Sequence, residues 1–329
     1  MGRIYFDNAA SKPMYKGVYR AMKPYLLKYY GNPSSVHKEG FRLRMAMENA
    51  REKIANILGC NAGEIFFTSG ASEANSWVSM ACGCLYDDSS HDSIKMANNG
   101  ITGSVYSVPL LNSETGRPSY YVGSDTPFHF DLTQAIGRIK ICLHNTDCMS
   151  ASLSAHKFGG PKGVGLLYIK EEYQDRFKPL IYGHQEGGLR GGTENVAGII
   201  GMAKALELVY KNWQKSKNRI IKCRTKIENF LSKNKIRYSS AENIINITFK
   251  ELNAQTAVRL FDKNKIAISA GSACNSGNDE PSTALLYYGY SRDEALRTIR
   301  VSLGSQNTIK EARRFNRVLR KIIDNYDEI

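Results

Sequence analysis

Between residues 41 and 240, short apolar strands alternate with amphipathic helices, and no other feature restricts the possible folds so strongly. Strands separated by helices pair in parallel, because a parallel return needs a crossover long enough to span the sheet. Residues 41–58 place Met47, Ala50, Ile54 and Ile57/Leu58 at helical spacing, with Gly59 as the stop. A strand at Glu64-Ile-Phe-Phe67 then enters Thr68-Ser-Gly-Ala-Ser-Glu-Ala-Asn75, which reads as a turn opening a helix. Phe128-His-Phe130 and Gly163-Val-Gly-Leu-Leu-Tyr-Ile169 read as further buried strands, and helical stretches cover about 194–231. The expected fold class is α/β, a mostly parallel sheet covered by helices, with a smaller α+β C-terminal domain.

The pattern changes near residue 240. Asn243-Ile-Ile-Asn-Ile-Thr-Phe249 and Lys265-Ile-Ala-Ile-Ser269 read as strands. The last helix opens on a capping box, Thr308-Ile-Lys-Glu311, and carries Phe315, Val318, Leu319, Ile322 and Ile323 on one face. A large domain is therefore expected over 15–240, shortened between 91 and 131. A small domain is expected from 1–14 plus 241–329. Without a low-complexity linker, the two should pack closely and share a cleft.

Composition narrows the setting. The start, MGRIYFDNAASKP, lacks the zones of a signal peptide, and no apolar run reaches the ~20 residues of a membrane span. A cytoplasmic protein is expected. Seven cysteines, an odd number, argue for free thiols rather than a disulfide framework. Cys82-Gly-Cys84 is one residue short of C-x-x-C, and no second ligand pair answers it, so no metal is expected. The formal charge of +14 reads as solubility from scattered lysines, or as attraction for an acidic partner or RNA. No RNP, zinc-finger or helix-turn-helix pattern accompanies it, so direct nucleic-acid binding is not expected.

Four separated signals bear on chemistry. Lys157, in Ser154-Ala-His-Lys157-Phe-Gly-Gly-Pro-Lys-Gly163, follows a short strand; such a lysine can form a Schiff base if its ammonium pKa is lowered, or can be a solvated charge. Asp131, in Asp131-Leu-Thr-Gln134, ends a strand where open α/β sheets bind ligands. Facing a pyridine nitrogen it would keep that nitrogen protonated; otherwise it would cap the next helix. Ser69-Gly-Ala71-Ser72 at a helix start offers N–H groups to a phosphate, or is an ordinary turn. His91, in a polar Ser-Ser-His-Asp-Ser stretch, could stack on a ring and shuttle a proton, or simply be exposed.

Taken in order, these segments resemble the cysteine desulfurase family of the class V aminotransferases, among the fold type I pyridoxal-phosphate enzymes. The likeness runs through Tyr5-Phe-Asp-Asn-Ala-Ala-Ser-Lys-Pro13, Gly31-Asn-Pro-Ser-Ser-Val-His37 and Phe67–Asn75. It continues with Asp131–Gln134, Ser154–Lys157 (Lys157 lying 26 positions after Asp131) and Gly188-Leu-Arg-Gly-Gly-Thr-Glu-Asn195. Ser269-Ala-Gly-Ser-Ala-Cys274, Glu280-Pro-Ser282 and Ile299-Arg-Val-Ser-Leu-Gly304 complete it.

The resemblance implies roles. Lys157 would bond pyridoxal 5'-phosphate and move the α-proton of L-cysteine. Asp131 would pair with the ring nitrogen, Gln134 would bond the ring hydroxyl, and His91 would stack on the ring. Ala71, Ser72, Ser154 and His156 would hold the phosphate, and Thr193 would reach the phosphate of a neighbouring subunit in a homodimer. Arg300, together with Asn32, would bind substrate. Cys274 would take the sulfur as a persulfide and pass it to an acceptor or scaffold protein, for instance in iron–sulfur cluster assembly.

Three departures stand out. The interval from His91 to Asp131 is short for the family. Within Leu111-Asn-Ser-Glu-Thr-Gly116, Ser113 replaces an asparagine expected at the cofactor, and Gly187 stands where an arginine is usual. A lyase acting on selenocysteine or another β-substituted amino acid is the competing enzyme reading. A low-activity docking platform for a sulfur carrier is the non-enzymatic one.

Overall fold

The computed structural model describes residues 2–98, 103–119, 125–271 and 280–326. In chain order the strands are β1 (Ile4–Tyr5), β2 (Ile65–Thr68), β3 (Cys84–Leu85), β4 (Val105–Pro109), β5 (Phe128–Asp131), β6 (Cys148–Ser154), β7 (Gly165–Ile169), β8 (Arg237–Ala241), β9 (Ile244–Thr248), β10 (Ile266–Ala267) and β11 (Thr298–Ser302). The helices are α1 (Lys16–Leu27), α2 (Lys38–Leu58), α3 (Ala71–Cys82), α4 (Asp92–Lys95), α5 (Val196–Lys211), α6 (Trp213–Lys233), α7 (Ala254–Lys263), α8 (Thr283–Tyr287), α9 (Arg292–Leu296) and α10 (Ile309–Tyr326).

Two compact units emerge. One comprises Pro13–Leu110 and Ser119–Lys211; the other comprises Met1–Lys12, Leu111–Pro118 and Asn212–Ile329. The first is built on a sheet of order β2-β7-β6-β5-β4-β3. The pairs β3–β4, β4–β5 and β5–β6 are parallel, whereas β7 runs antiparallel to both β6 and β2. Only a three-residue 3-10 turn and a short loop join β6 to β7, too short for a crossover, so that pair must reverse. Because β7 reverses between them, β2 points the same way as β6. The C-terminal ends of β2, β6, β5 and β4 therefore share one edge of the sheet. β6 and β7 are buried at every position, as expected of strands covered on both faces. Trp77 and Val78 of α3 pack with Phe66, Met149 and Leu167 of the sheet.

α2 follows its sequence pattern closely: Met47, Ala50, Ile54 and Leu58 are buried, while Ile57 is only half-buried. Gly59 closes it with φ of 65°, the left-handed conformation that glycine adopts without a Cβ penalty.

The second unit holds an antiparallel sheet, β11-β9-β8, and a parallel pair, β1–β10. It also takes in residues 111–118 and 212–240, which the sequence pattern places in the large domain. The helical stretch over 194–231 is in fact two helices, and α6 turns Ile220, Cys223, Ile227 and Leu231 into a core shared with Phe315, Leu319 and Ile322 of α10. Residues 111–118 join it because the buried Asn246 donates to the Glu114 carbonyl at 3.1 Å. The capping box on α10 is formed: the Glu311 carboxylate accepts from Thr308 N–H at 2.7 Å, and the Thr308 hydroxyl accepts from Glu311 N–H at 3.2 Å. Among the described residues no helix is long and apolar enough to cross a membrane.

Candidate active site

Asp131 ends β5, and its carboxylate is held at both oxygens. Oδ1 accepts from Thr133 N–H at 2.8 Å and Oδ2 accepts from the Asn75 amide at 3.0 Å. The helix-cap alternative is thus half realised: one oxygen closes a turn, while the other faces α3. Asn75 is fully buried and uses its whole side chain. Its Nδ2 also donates to Ser93 Oγ at 3.0 Å, while its Oδ1 accepts from Ser152 Oγ and from His129 Nε2, the latter at 3.1 Å. These partners fall in register because His129 and Asp131 share one face of β5, two residues apart, opposite Ser150 and Ser152 of β6. Since Asn75 Oδ1 can only accept, His129 carries its proton on Nε2, and Nδ1 accepts from Ser150 Oγ at 2.9 Å. Burial pushes the His129 pKa down to about 4, so the ring is neutral at neutral pH.

The same network reaches His91. This residue is exposed at the N-cap of α4, where Nδ1 accepts from Ser93 N–H at 3.1 Å and lies 2.8 Å from Ser93 Oγ. Nδ1 is thereby committed as an acceptor, which leaves Nε2 as the proton-bearing atom of the neutral ring.

Lys157 closes a short turn directly after β6 and is half-buried. Because β5 and β6 are parallel neighbours, Asp131 and Lys157 leave the sheet at the same edge. Gly159 bends the chain there with φ of 90°, and a Cβ at that position would lie 2.5 Å from the Tyr15 ring. Burial, then the adjacent Lys157 and Lys162 charges, lower the His156 pKa to about 4, so His156 is a neutral donor or acceptor.

β2 reaches the same edge and opens α3 through Ser69 and Gly70. Gly70 is the N-cap and has no side chain, so the first-turn N–H groups of this 12-residue helix receive no bond from a cap side chain. Ala71 is buried there, Ser72 is exposed, and the buried Ser154 hydroxyl would lie 3.4 Å from a Cβ built on Gly70. Uncapped N–H groups, a hydroxyl and a neutral imidazole form a donor set suited to a phosphate. Gln134, also buried, has its Oε1 bonded by Arg138 at 2.7 Å.

In the other unit, Arg300 is 2% exposed. Its Nη2 donates to Asp7 Oδ1 at 3.1 Å and to Ser269 Oγ at 3.3 Å, and its Nη1 donates to the Ser113 carbonyl at 3.0 Å. Ser113 thus meets the arginine through its backbone. Arg300 Nε is buried with no hydrogen-bond partner among the described residues, which leaves this guanidinium capacity for a further acceptor.

Asn32 and Thr193 are exposed, and Asn32 Oδ1 accepts from Ser34 N–H at 2.9 Å. Cys274 lies outside the described residues. The other six cysteines are free; Cys142 is exposed and the rest are buried. Burial pushes Cys60 up to about 12 and both Cys84 and Cys148 up to about 11, which makes them poor thiolates at neutral pH. Cys82 and Cys84 are core residues packed with Trp77. Among the described residues no cluster of three His, Cys, Asp or Glu could hold a metal ion. The sequence reading overlooked Asn75, Ser93, His129 and Ser152. The available signal was the alternation of polar residues at 129 and 131 and at 150 and 152 within otherwise apolar strands.

The family profile described as aminotransferase class-V matches residues 4–116 and 96–315. A cysteine desulfurase IscS of Dictyoglomus turgidum is 33% identical over 381 aligned positions, covering 98% of this chain and 94% of the relative. The chain belongs to the cysteine desulfurase family within the class-V aminotransferases. Solved structures agree with that membership. A NifS-like protein superposes with a TM-score of 0.88 at 28% identity, over 98% of this chain and 99% of its own. SspA in complex with cysteine superposes with a TM-score of 0.77 at 29% identity, over 91% and 98%. As a cysteine desulfurase family member of 329 residues, the chain is shorter than its own 381-position alignment, so it lacks positions internal to the relative.

Proposed function

We propose that this enzyme is a pyridoxal-phosphate-dependent cysteine desulfurase, converting L-cysteine to L-alanine while Cys274 keeps the sulfur. The observation that carries the reading is the fixed Asp131 carboxylate at the end of β5, beside the strand that delivers Lys157. Lys157 would bond the cofactor aldehyde, Asp131 its ring nitrogen and Gln134 its ring hydroxyl. Ala71, Ser72, Ser154 and His156 would hold the phosphate, with Thr193 of a second copy completing it. When bound, the group supplies a sink for the electrons left on the substrate Cα.

The chain's own residues do the rest. Asp131, bonded by Asn75 and Thr133, remains an acceptor and so favours a protonated ring nitrogen. Lys157 Nζ takes the Cα proton. Arg300 orients the substrate carboxylate with a guanidinium already fixed by Asp7 and Ser269. Asn32 would also bind substrate. The Cys274 thiolate attacks the substrate sulfur: the S–S bond forms as the Cβ–S bond breaks, and the electron pair of the broken bond stays with the substrate carbon. Protonation of that carbon, with His91 Nε2 as a donor, and return of the proton from Lys157 Nζ to Cα would complete alanine, and the product on the protein is a persulfide. An acceptor protein then removes the outer sulfur.

Incubation of the purified protein with pyridoxal phosphate and L-cysteine tests this directly. The wild type should turn yellow and release alanine. Cys274→Ala should keep the colour and lose at least about 100-fold in sulfide or persulfide formation, since it removes a nucleophile. Undiminished turnover in Cys274→Ala would favour the selenocysteine-type lyase, and a protein that never colours would end the proposal.

A further inference from the structure

The loop before α5 is anchored at two points. At the first, Arg51 makes a double bond of charges to Glu186, Nη1–Oε2 at 2.8 Å and Nη2–Oε1 at 2.7 Å, beneath the Phe67 ring. Glu186 Oε2 also accepts from Phe67 N–H at 2.9 Å, which occupies a donor on β2, an edge strand of the sheet. Glu186 adopts φ of 49°, unusual for a residue with a side chain, and its side chain is only 2% exposed. At the second point, Arg190 pairs with Glu73, Nε–Oε1 at 2.9 Å and Nη2–Oε2 at 3.3 Å. Glu73 Oε2 accepts as well from Ser69 N–H at 2.7 Å. Burial works to raise the Glu73 pKa, but the bonds from Arg190 and Ser69 outweigh it and keep the carboxylate charged.

Glu73 therefore touches two segments with different destinations. Ser69 begins the phosphate seat of its own subunit. Arg190 belongs to the loop that ends in Thr193, the residue proposed to serve the phosphate of a second copy. We propose that Glu73 is a positioning residue coupling the two cofactor seats of a homodimer, so that each seat depends on the Glu73–Arg190 pair of both subunits. The inference rests on the cofactor and homodimer reading above.

Mixed dimers test it. A wild-type subunit is paired with a Lys157→Ala subunit, so that only the wild-type lysine can give the visible band of bound pyridoxal phosphate. The dissociation constant is compared with that of wild type paired with Glu73→Gln/Lys157→Ala, and with Arg190→Gln/Lys157→Ala as a second route to the same loss. Weakening by about tenfold at the unaltered wild-type seat is expected in both, a size typical of contacting residues. Exchanging the pair, with Glu73→Arg and Arg190→Glu in the silent subunit, should restore part of it. Equal affinities in all mixed dimers, or a wild-type chain that binds the cofactor as a monomer, would overturn the coupling while leaving the desulfurase reading intact. A wild-type protein that never binds the cofactor fails the earlier reading, and this one with it.

Discussion

Asn75 orients Asp131 with one end of its amide and is itself oriented by the other, with Ser152 and His129 below it and Ser93 beside it. Asn75→Ala would leave the buried His129 and Ser152 donors unpartnered, and should cost about 2–4 kcal/mol in urea unfolding. It should also weaken the cofactor band, because Asp131 loses the donor that fixes its Oδ2; a variant with wild-type stability and colour would remove Asn75 from the site. His129 makes a pH prediction. Its folded pKa is depressed to about 4, against about 6.5 in an unfolded chain. The unfolded state therefore binds a proton first as pH falls. The stability held by the neutral ring is complete above about 6.5 and declines towards about 4, by at most about 1.4 kcal/mol per pH unit for one histidine. The decline should be shallower in His129→Asn; urea midpoints at pH 7, 5.5 and 4.5 that fall in parallel for both proteins would refute it. His156 shifts in the same direction, from burial and then from Lys157 and Lys162. At this scale the placement of Asp131 and Lys157 just at the ends of two strands was readable, because each placement needs only its own strand. Asn75 acquires its meaning from the register of two strands remote in sequence, which no local pattern encodes.

The strands that lead into Gly70, Asp131 and Lys157 stop at one sheet edge, and the closeness of their ends depends on small residues. Gly165 at the start of β7 lies where a Cβ would come within 2.5 Å of the Leu153 carbonyl oxygen and 2.6 Å of Gly70 Cα. Gly165→Ala should push the β2–α3 turn away from Ser154. It should cost about 1–3 kcal/mol by overpacking and weaken pyridoxal-phosphate binding, as checked by urea unfolding and by titration of the visible band. A variant with unchanged cofactor affinity would show that the turn has slack. Local signals located the elements with strong ones: α2 by its apolar spacing and Gly59, α10 by its capping box. They gave α6 as helix without its destination, since Ile220, Cys223, Ile227 and Leu231 define a face but not the partner that covers it. β1 is two residues long and exists only through pairing with β10, so nothing in residues 4–5 alone announces a strand.

At the scale of the whole chain, the unit that contains Arg300 is assembled from three separate segments. Ile4 and Phe6 are buried in its core, Phe6 against Phe315 with ring centroids 5.7 Å apart, and Asp7 is the ion-pair partner of Arg300. A fragment of residues 212–329 would lose two core side chains, at about 2–5 kcal/mol each, and leave a buried arginine unpaired, at about 3–5 kcal/mol. That sum rivals the ~5–15 kcal/mol stability of a typical domain. The isolated fragment should therefore show no cooperative urea transition, and co-expression with a segment covering residues 1–118 should be needed to recover one. A cooperative transition in the fragment alone would mean that α6 and α10 suffice. The parallel pairing of Ile4 with Ile266 also sets a timetable for biosynthesis. At about 5–20 residues per second, the first strand emerges from the ribosome roughly 13–50 s before its partner is translated. During that wait the Ile4 and Phe6 side chains have no native neighbour, so a nascent-chain chaperone that shelters this segment would raise the yield of folded enzyme more than one acting on the finished chain.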